Sequence, residues 1–370
     1  MMEYVNLGDV ATYINGYAFK PEQRGKKGLP IIRIQDLNGN SHDLGFFDGE
    51  YPEQVEINTG DILISWSGSL GVYKWNKGKA LLNQHIFKVL FNKIEIDKEY
   101  FCYAIRNSLS SMSQQTHGAT MKHITKKDFD NISIPYPDLN EQKKIANNLN
   151  IVNKLIMFYE KELILFEQMV KARFIEMFRD EKHRMLMSEV CSIITDGTHQ
   201  PPKFKREGIP FIFVSNIAED RLTYNAEKFI DQETYDELIK RTPIEIGDVL
   251  LSTVGSYGHP AVVKSGKKFL FQRHIAYLKP RREIVDSEFL HGAILSSDVQ
   301  EQIEKAVKGI AQKTLNLSEI KKMVIPVPTI DRQKKFTNFV QHVDKSREEV
   351  KKSLEKTQQL YDSLMQEYFG

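Results

Sequence analysis

The sequence repeats itself along its whole length. This duplication limits the possible folds more than any other feature, because each half must then form a unit of the same architecture. Four pairs of segments carry the repeat: GLPIIRIQDL at 28–37 with GIPFIFVSNI at 208–217, GDILIS at 60–65 with GDVLLS at 247–252, QHIFKV at 84–89 with RHIAYL at 273–278, and IPYPDLNEQKKI at 134–145 with IPVPTIDRQKKF at 325–336.

The offset between matched segments grows along each copy and then stops growing. It is 180 between Gly28 and Gly208, reaches 191 at the double-proline segments, and is still 191 between Phe178 and Phe369. The second copy therefore has insertions in its first part, while the part after the prolines keeps its register. Each copy consists of a part that varies in length and a part that does not.

The varying part of each copy reads as a small α+β domain of about 140 residues. In the first copy, β-type runs at 29–37, 61–66 and 81–91 are separated by glycine-rich turns. A helical stretch is predicted at about 98–115, and its counterpart in the second copy at about 287–308. A glycine-containing loop, a last strand and the double proline complete the unit.

The fixed part of each copy predicts a long helix with a coiled-coil seam. In the first helix the seam residues alternate in steps of four and three: Ile145, Leu149, Val152, Ile156, Tyr159, Leu163, Phe166 and Val170. In the second they are Phe336, Val340, Val343, Arg347, Val350, Leu354, Thr357, Tyr361, Leu364 and Tyr368. Arg347 and Thr357 are polar, which indicates register control, a gap in the seam or a position at its edge.

The prolines explain why each helix starts abruptly, since proline cannot continue a strand ladder and restricts the residue before it. Asp138 is a good N-cap with Glu141 three residues later, whereas Thr329 has Arg332 at that position. About 38 residues at ~1.5 Å each give a rod of roughly 57 Å. We expect the two rods to pair antiparallel about a pseudo-twofold axis, with the domains at opposite ends.

The layout, the two double-proline segments, the GDILIS and GDVLLS turns, and the openings INGYAF and DGTHQPPKF resemble the specificity subunits of type I restriction–modification systems. The resemblance covers essentially the full chain. It implies two target-recognition domains, residues 1–137 and 188–327. It also implies a central spacer helix at 138–180, a linker at 181–187 and a C-terminal spacer helix at 328–370.

The resemblance also implies the partners. These are double-stranded DNA, two methyltransferase subunits docked on the helices, and restriction subunits joined through the complex. S-adenosylmethionine, ATP and Mg²⁺ would be bound by those other chains, and no cofactor is expected in this one.

Composition agrees with a folded cytoplasmic protein. The chain has 370 residues with 27% charged residues and a net charge of only +2. It has no stretch of ~20 apolar residues and no signal-peptide pattern at its start. Cys102 and Cys191 are far apart and outside any CxxC, so buried thiols are favoured over a disulfide.

Motifs for catalysis are missing from the sequence. A DNA amino-methyltransferase needs an Asn/Asp-Pro-Pro-aromatic loop, whereas Gln200 precedes and Lys203 follows the Pro-Pro pair of HQPPKF. Asp138 and Glu141 fit helix capping better than a nuclease core. The glycine-lysine pairs lack the upstream glycine of a phosphate loop, and the ten histidines show no zinc spacing. The sequence indicates a non-catalytic DNA reader.

DNA contacts are expected in loops that occupy matched positions but differ between copies: 17–27, 67–74 and 117–122, and 198–206, 256–259 and 309–313. Groove contacts favour hydroxyls, amides and Arg, and phosphate contacts favour Lys and Arg. The candidate residues are Tyr17, Lys20, Arg24, Lys26, Lys27, Ser67, Ser69, Lys74 and Lys122 in the first copy, and Thr198, His199, Lys203, Lys205, Arg206, Ser256, Tyr257, Arg273, Gln312 and Lys313 in the second.

Ordinary structural roles compete with these assignments to DNA binding. Each basic cluster could be a solvated face. The aromatics Tyr17, Phe19 and Phe204 could pack a core, and His199, His259 and His274 could serve local hydrogen bonds. The long helix also has outward apolar residues, which either pack on the domains or form a docking surface: Ile151, Phe158, Ile164, Leu165, Phe174 and Ile175. A coiled-coil scaffold that reads no DNA, and an enzyme acting on DNA itself, are the alternative functions.

Overall fold

A computed structural model describes residues 3–40, 43–115, 124–309 and 313–370. The chain forms two compact units. The first comprises Met1–Phe158 with Leu354–Gly370, and the second comprises Tyr159–Ser353. Each unit therefore combines one domain with part of each long helix.

The first domain is built from short strands and helices, and the first long helix follows it. In chain order they are β1 Tyr4–Asn6, α1 Leu7–Val10, β2 Thr12–Asn15, β3 Leu29–Ile32, α2 Ile34–Leu37, β4 Phe46–Phe47, β5 Glu56–Ile57, β6 Ile62–Ser65, β7 Gly71–Lys74, β8 Ala80–Leu82, β9 Ile86–Leu90, α3 Lys98–Gln115, α4 Lys126–Asp130, β10 Ser133–Pro135 and α5 Leu139–Phe178.

These strands form two four-stranded sheets and one closing pair. One sheet has the antiparallel order β2-β9-β6-β7, and the other has the order β4-β3-β8-β5 with β3 and β8 parallel. The pairing of β1 with β10 brings the start of the domain to its end. The main core packs Tyr100, Phe101 and Phe129 of the helical side against Phe87 of the first sheet.

The second domain repeats this plan, and the second long helix follows it. Its elements are β11 Arg184–Leu186, α6 Met187–Val190, β12 Cys191–Asp196, β13 Ile209–Ile212, β14 Phe229–Ile230, α7 Gln232–Leu238, β15 Val249–Ser252, β16 Pro260–Val262, β17 Leu270–Phe271, β18 Ile275–Pro280, α8 Ser287–Ile294, α9 Ser297–Ala306, α10 Leu317–Lys322, β19 Val324–Pro326 and α11 Ile330–Phe369.

The second domain's sheets correspond to those of the first. The order β12-β18-β15-β16 matches β2-β9-β6-β7, and β14-β13-β17 matches the second sheet without its outer strand. The mixed α/β class and the internal repeat are thus confirmed. Strand β11, which lies in the segment expected to be a linker, pairs with β19 and closes this domain as β1 and β10 close the first.

The helical stretch expected at 287–308 is present and consists of two helices, α8 and α9. Ser296 interrupts it: its hydroxyl donates to the Ala293 carbonyl at 2.7 Å and accepts from the Val299 amide at 3.4 Å. A serine in this conformation ends α8 and caps α9, because its side chain satisfies a free amide of the new helix.

The predicted seams form the buried or half-buried stripes of α5 and α11. In the first unit, Asn148 Nδ2 donates to the hydroxyl of Tyr368 at 3.3 Å. In the second unit, the rings of Phe174 and Phe336 lie 5.3 Å apart, and Arg347 donates to Glu167 at 2.9 Å. Positions rise on one helix as they fall on the other, so the paired segments within the second unit are antiparallel.

Capping differs between the two helix starts. Asp138 Oδ1 accepts from the amides of Asn140 at 2.9 Å and Glu141 at 3.0 Å, as the sequence predicts. In the second copy Arg332 has a different role. Its guanidinium pairs with Glu181 at 2.5 Å, donates to the Met177 carbonyl and lies over the Phe178 ring. Arg332 thus binds the C-terminal end of α5, where a cation is favoured.

A glutamine in each double-proline segment joins the long helix to its domain. The side chain of Gln142 is buried, accepts from the Asp97 amide at 2.9 Å and donates to the Pro137 carbonyl at 2.8 Å. Gln333 has the same role with Asp286 and Pro328. Because Asp97 and Asp286 precede α3 and α8, this glutamine fixes two helix starts to each other in both copies.

Candidate DNA interface

Three turns of the first domain meet at one edge. The Tyr17 amide donates to the Leu82 carbonyl at 2.8 Å, and the Gln84 amide donates to the Tyr17 carbonyl at 3.0 Å. The Trp66 amide donates to the His85 carbonyl at 3.2 Å. The turns after β2, β6 and β8 therefore form a single junction, which we call the first loop junction.

The second domain has an equivalent arrangement, the second loop junction. The Thr198 amide donates to the Phe271 carbonyl at 2.9 Å, and the Arg273 amide donates to the Thr198 carbonyl at 3.1 Å. The Thr253 amide donates to the carbonyl of His274 at 2.9 Å. Residues of a fourth segment join it, since the Leu315 amide donates to the Thr253 carbonyl at 2.8 Å.

Both junctions depend on a glycine at the close approach of two turns. A Cβ on Gly16 would lie 2.0 Å from the Asn83 carbonyl oxygen, and one on Gly197 would lie 2.2 Å from the Phe271 carbonyl oxygen. No side chain fits at such distances. The glycines of INGYAF and DGTHQPPKF are therefore explained by backbone packing that creates the junctions.

The first junction presents aromatic and polar groups. Tyr17 is 39% exposed, and its ring meets the buried Phe19 edge-on at 4.9 Å. Ser69 is exposed, whereas Ser67 is buried. The Trp66 indole donates to Asn15 at 3.3 Å, and its ring meets His85 edge-on at 4.9 Å. Phe19 is thus a core residue, while Tyr17 remains accessible.

The second junction is richer in charge. Arg241 and His199 both lie against Asp196, at 2.6 and 2.9 Å. Arg273 is exposed and its Nε lies 3.4 Å from His274 Nε2. Burial, together with the Arg273 charge, lowers the pKa of His274 and favours its neutral form.

Tyr257 and Lys313 form a pair beside Ser256. Lys313 Nζ donates to the Tyr257 hydroxyl at 3.2 Å, and that hydroxyl donates to Glu304 at 2.9 Å. The hydrogen bond and charges of Tyr257 and Glu304 raise the pKa of Lys313. Ser256 itself is exposed.

Most candidate cations on the segments that follow each junction are accessible. Lys20, Lys26 and Lys27 are exposed, while Arg24 is half-buried with its aliphatic stem against Gly45. In the second domain the exposed cations are Lys203, Lys205 and Arg206, with Lys205 3.4 Å from Asp231.

Lys74 differs from these candidates in its position and its partner. It lies opposite Ile62, at the far end of the β6–β7 hairpin from Ser69, and pairs with Glu99. The structure therefore does not bring Lys74 to the junction. Lys122 and Gln312 lie outside the described residues.

Sequence reasoning missed four junction residues: Trp66, Gln84, His85 and Arg241. Gln84 could have been found, because it occupies the position of Arg273 in the matched segments QHIFKV and RHIAYL. Arg241 gave no comparable signal, since it reaches Asp196 from the turn after α7, 45 residues further along the chain.

The described residues offer little for other kinds of site, namely a reactive thiol, a metal site or a membrane span. Cys102 and Cys191 are free and buried, and burial raises the pKa of each thiol to about 12. Across the described ranges, no three or more His, Cys, Asp or Glu side chains are grouped to hold a metal ion. Within the part of the chain that the structure describes, no helix combines the length and apolar character of a membrane span.

The outward apolar residues of α5 divide into two groups. Phe174 is 5% exposed and packs with Phe178, Phe336 and Phe289 of the second domain, so for this residue packing on a domain, the first of the two alternatives, applies. Its step of four from Val170 also continues the seam. The remaining five are between 45% and 61% exposed: Ile151, Phe158, Ile164, Leu165 and Ile175.

Two α+β domains with matching loop junctions, each followed by a 40-residue helix, define a duplicated protein whose two copies differ in the loops. The family model for the type I restriction modification DNA specificity domain matches residues 1–165 and again 187–359. The chain belongs to this family and is a specificity subunit of the type I restriction–modification class.

Related proteins match this chain over almost its full length. The chain is 26% identical to the type I restriction enzyme EcoBI specificity subunit of Escherichia coli, covering 99% of this chain and 85% of the relative. It is 21% identical to the MjaVIII specificity subunit of Methanocaldococcus jannaschii, covering 97% and 91%. The S subunit structure from M. genitalium matches with a TM-score of 0.59 at 16% identity, covering 100% and 96%.

A second structure comes from work on complex assembly and conformational transition of the type I R-M system. It matches with a TM-score of 0.58 at 15% identity, covering 99% of this chain and 97% of that one. These structures support the fold, and the family match supports the class.

Proposed function

We propose that the chain is the DNA-sequence-recognition subunit of a type I restriction–modification complex, and that each domain reads one half of a bipartite, asymmetric target. The observation that carries the proposal is the pair of loop junctions. Their backbone is the same in both copies, while their side chains differ, with Tyr17 and Gln84 opposite Thr198 and Arg273. A shared framework with different groups suits two readers of different sequences.

The chemistry of the junctions fits base reading in the major groove. Arg273 can donate two hydrogen bonds to guanine, and Gln84 can pair with adenine through its amide. The exposed lysines of 20–27 and 203–206 suit phosphates, which position a protein on the duplex without reading sequence. Lys74, paired with Glu99, is the weakest of the proposed contacts.

The long helices are proposed to fix the distance between the half-sites. Each is one uninterrupted helix of 40 residues, or about 60 Å. This is between one and two turns of B-DNA, each of which is about 34–36 Å. The constant offset of 191 between the helices, against a varying offset between the domains, is what a spacer of set length requires.

We propose that methyltransferase subunits dock mainly on α5, and that restriction subunits join through them. On α5 five large apolar side chains are at least half exposed: Ile151, Met157, Phe158, Ile164 and Leu165. Their counterparts on α11, 191 residues later, are all polar: His342, Glu348, Glu349, Glu355 and Lys356. An exposed apolar stripe is costly unless a partner covers it.

Catalysis is proposed to belong to these partners. S-adenosylmethionine would be bound by the methyltransferase subunits, and ATP with Mg²⁺ by the restriction subunits. This chain would act by placement, in the cytoplasm with the cell's DNA.

Inserting four residues into both α5 and α11 tests the proposal. The complex with its methyltransferase partners should then methylate targets with a longer spacer and unchanged half-sites. A matched chimera that exchanges residues 1–137 with a subunit of known target should change one half-site only. Duplex binding without sequence preference would favour a scaffold, and altered half-sites after the insertion would contradict the spacer role.

A further inference from the structure

The second domain is fastened to its long helix by a cluster of ion pairs. Asp344 of α11 accepts from Arg221 Nη2 at 2.7 Å on one carboxylate oxygen and from Lys264 Nζ at 2.8 Å on the other. Lys264 Nζ also lies 2.8 Å from Glu288 Oε1 of α8. All four residues belong to the second unit. We call this set the Asp344 cluster.

The loop that carries Arg221 is itself tied to the second loop junction. Asp220 adopts a left-handed backbone with φ of 57°, a conformation that few residues other than glycine adopt. Two histidines hold it there. His259 Nδ1 lies 2.8 Å from the Asp220 carboxylate, and His291 Nε2 lies 2.8 Å from its carbonyl oxygen. A continuous chain of contacts thus runs from the Ser256–His259 turn through Asp220 and Arg221 to Asp344.

Within residues 3–40, 43–115 and 124–158, no ion-pair cluster like that of Asp344 joins the first domain to α5. The position of Asp344 on α5, 191 residues earlier, is Asn153. The first domain instead contacts its helix through Tyr103, whose hydroxyl donates to Asn150 Oδ1 at 2.9 Å. The counterpart of Tyr103 in the second domain is Gly292, at an offset of 189. Both domains share the glutamine joint at the start of the helix, but the contacts described here further along each helix differ in chemistry.

The geometry of the cluster suits orientation more than stability. The side chains of Asp344 and Arg221 are 21% and 32% exposed. Burial disfavours the Asp344 carboxylate, but hydrogen bonds and charges from Lys264 and Arg221 outweigh it and hold its pKa below the ordinary value. Half-exposed ion pairs contribute little to folding, yet one carboxylate shared between two cations restricts the angle at which domain and helix meet.

We infer that Asp344 is a positioning residue for DNA recognition: through Arg221 and Lys264 it sets the orientation of the second reading junction on its helix, and so sharpens the discrimination between spacer lengths. This inference rests on the proposed bipartite function. It predicts that loss of the cluster relaxes spacing while the bases read in each half-site stay the same.

The test uses the full chain assembled with its methyltransferase subunits, on duplexes that carry both half-sites with the preferred spacer or one base pair more or less. The half-sites are first mapped by methylation. In Asp344→Ala, the ratio of affinities for the preferred and altered spacers should fall by about threefold to tenfold, as losing one or two charge-assisted hydrogen bonds allows. Glu349→Ala, which removes an exposed carboxylate from the same helix, should keep the wild-type ratio.

A double-mutant cycle separates positioning from general damage. Arg221→Ala alone should relax the ratio, and in the Asp344→Ala background it should add little, because the two residues act through one contact. Equal loss of affinity for all spacers, or an unchanged ratio in both Asp344→Ala and Arg221→Ala, would overturn the inference. If the wild-type complex shows no preference for a bipartite target, the proposed function fails instead. Thermal unfolding of each variant identifies any variant that does not fold. If Asp344→Ala does not fold, the spacer ratio of Arg221→Ala decides the inference.

Discussion

Gln333 accepts a hydrogen bond from the Asp286 amide at 2.8 Å, and its side chain is completely buried. Its amide group also donates to the carbonyls of Ile284 at 3.0 Å and Pro328 at 2.8 Å. The glutamine thus satisfies one backbone donor and two backbone acceptors where α8 and α11 begin. This role explains why a glutamine recurs at this place after both double prolines.

Replacing Gln333 with leucine should destabilise the second unit by about 2–4 kcal/mol, because buried backbone groups lose their partners and each costs about 1–3 kcal/mol. Urea unfolding of the purified chain measures this. Lys334→Leu, at the adjacent exposed position, is the matched control and should change stability by less than about 0.5 kcal/mol. Equal stability of the Gln333 and Lys334 variants would show that the joint is not structural.

The sequence predicted the repeat, the α+β class and both helix seams because periodicity and the match between the two halves are visible in the order of residues alone. It missed the contacts that form between distant segments. Arg241 contacts Asp196, which lies 45 residues earlier in the chain. The ring of Trp66 contacts His85, although strands β7 and β8 lie between them in the sequence. Phe174 shows the same limit. The sequence left open whether it packs on a domain or faces a partner, because its contacts Phe289 and Phe336 come from the second domain and α11.

Phe174→Ala should destabilise the second unit by about 3–5 kcal/mol, since it removes a buried ring from a cluster of four aromatic side chains. The neighbouring Ile175→Ala is the control. Ile175 is 45% exposed, and its loss should cost under about 0.5 kcal/mol in the isolated chain. Thermal unfolding of the two variants compares them directly, and a larger effect at Ile175 would contradict this assignment of faces.

Asp248 gives a pH-dependent prediction. Its side chain is fully buried, and burial raises its pKa above the ordinary 3.8 despite the Tyr277 hydroxyl, which donates to it at 2.7 Å. The folded chain therefore binds this proton more tightly than the unfolded chain, and stability falls as pH rises from 3.8 through the folded pKa.

Asp248→Asn should remove that loss. Wild type and variant should have similar stability below pH 3.8, and the variant should become the more stable as pH rises. Urea unfolding between about pH 3 and pH 8 measures the difference. Asp362→Asn, at an exposed position of α11, is the control and should follow the wild-type profile. A variant that loses stability relative to wild type as pH rises would contradict the sign.

Removing Lys26 and Lys27 together should weaken DNA binding equally on every sequence. If each lysine neutralises one phosphate, the slope of log K against log salt falls in magnitude by about 0.9 per lysine, or about 1.8 for both. Binding titrations at several salt concentrations measure the slope. Lys143→Ala, which removes an exposed lysine at the start of α5, is the control and should leave the slope unchanged. An unchanged slope in the double variant would show that residues 20–27 face away from DNA.

Arg273→Ala should change which bases are read. Arg273 is exposed at the second junction, and loss of a bidentate base contact costs about 1–3 kcal/mol on the correct sequence. The preference for one base over the others should weaken at one position of one half-site, while base preference in the other half-site stays the same. Methylation or binding on a library of randomised half-sites identifies the position.

The counterpart variant makes the experiment symmetric. Gln84→Ala, at the matching place in the first junction, should relax the opposite half-site and spare the one affected by Arg273→Ala. Arg179→Ala removes an exposed arginine near the end of α5 and should affect neither. Gln84 and Arg273 occupy the same framework position in different domains. If both variants relaxed base discrimination in the same half-site, the assignment of one half-site to each domain would therefore be wrong.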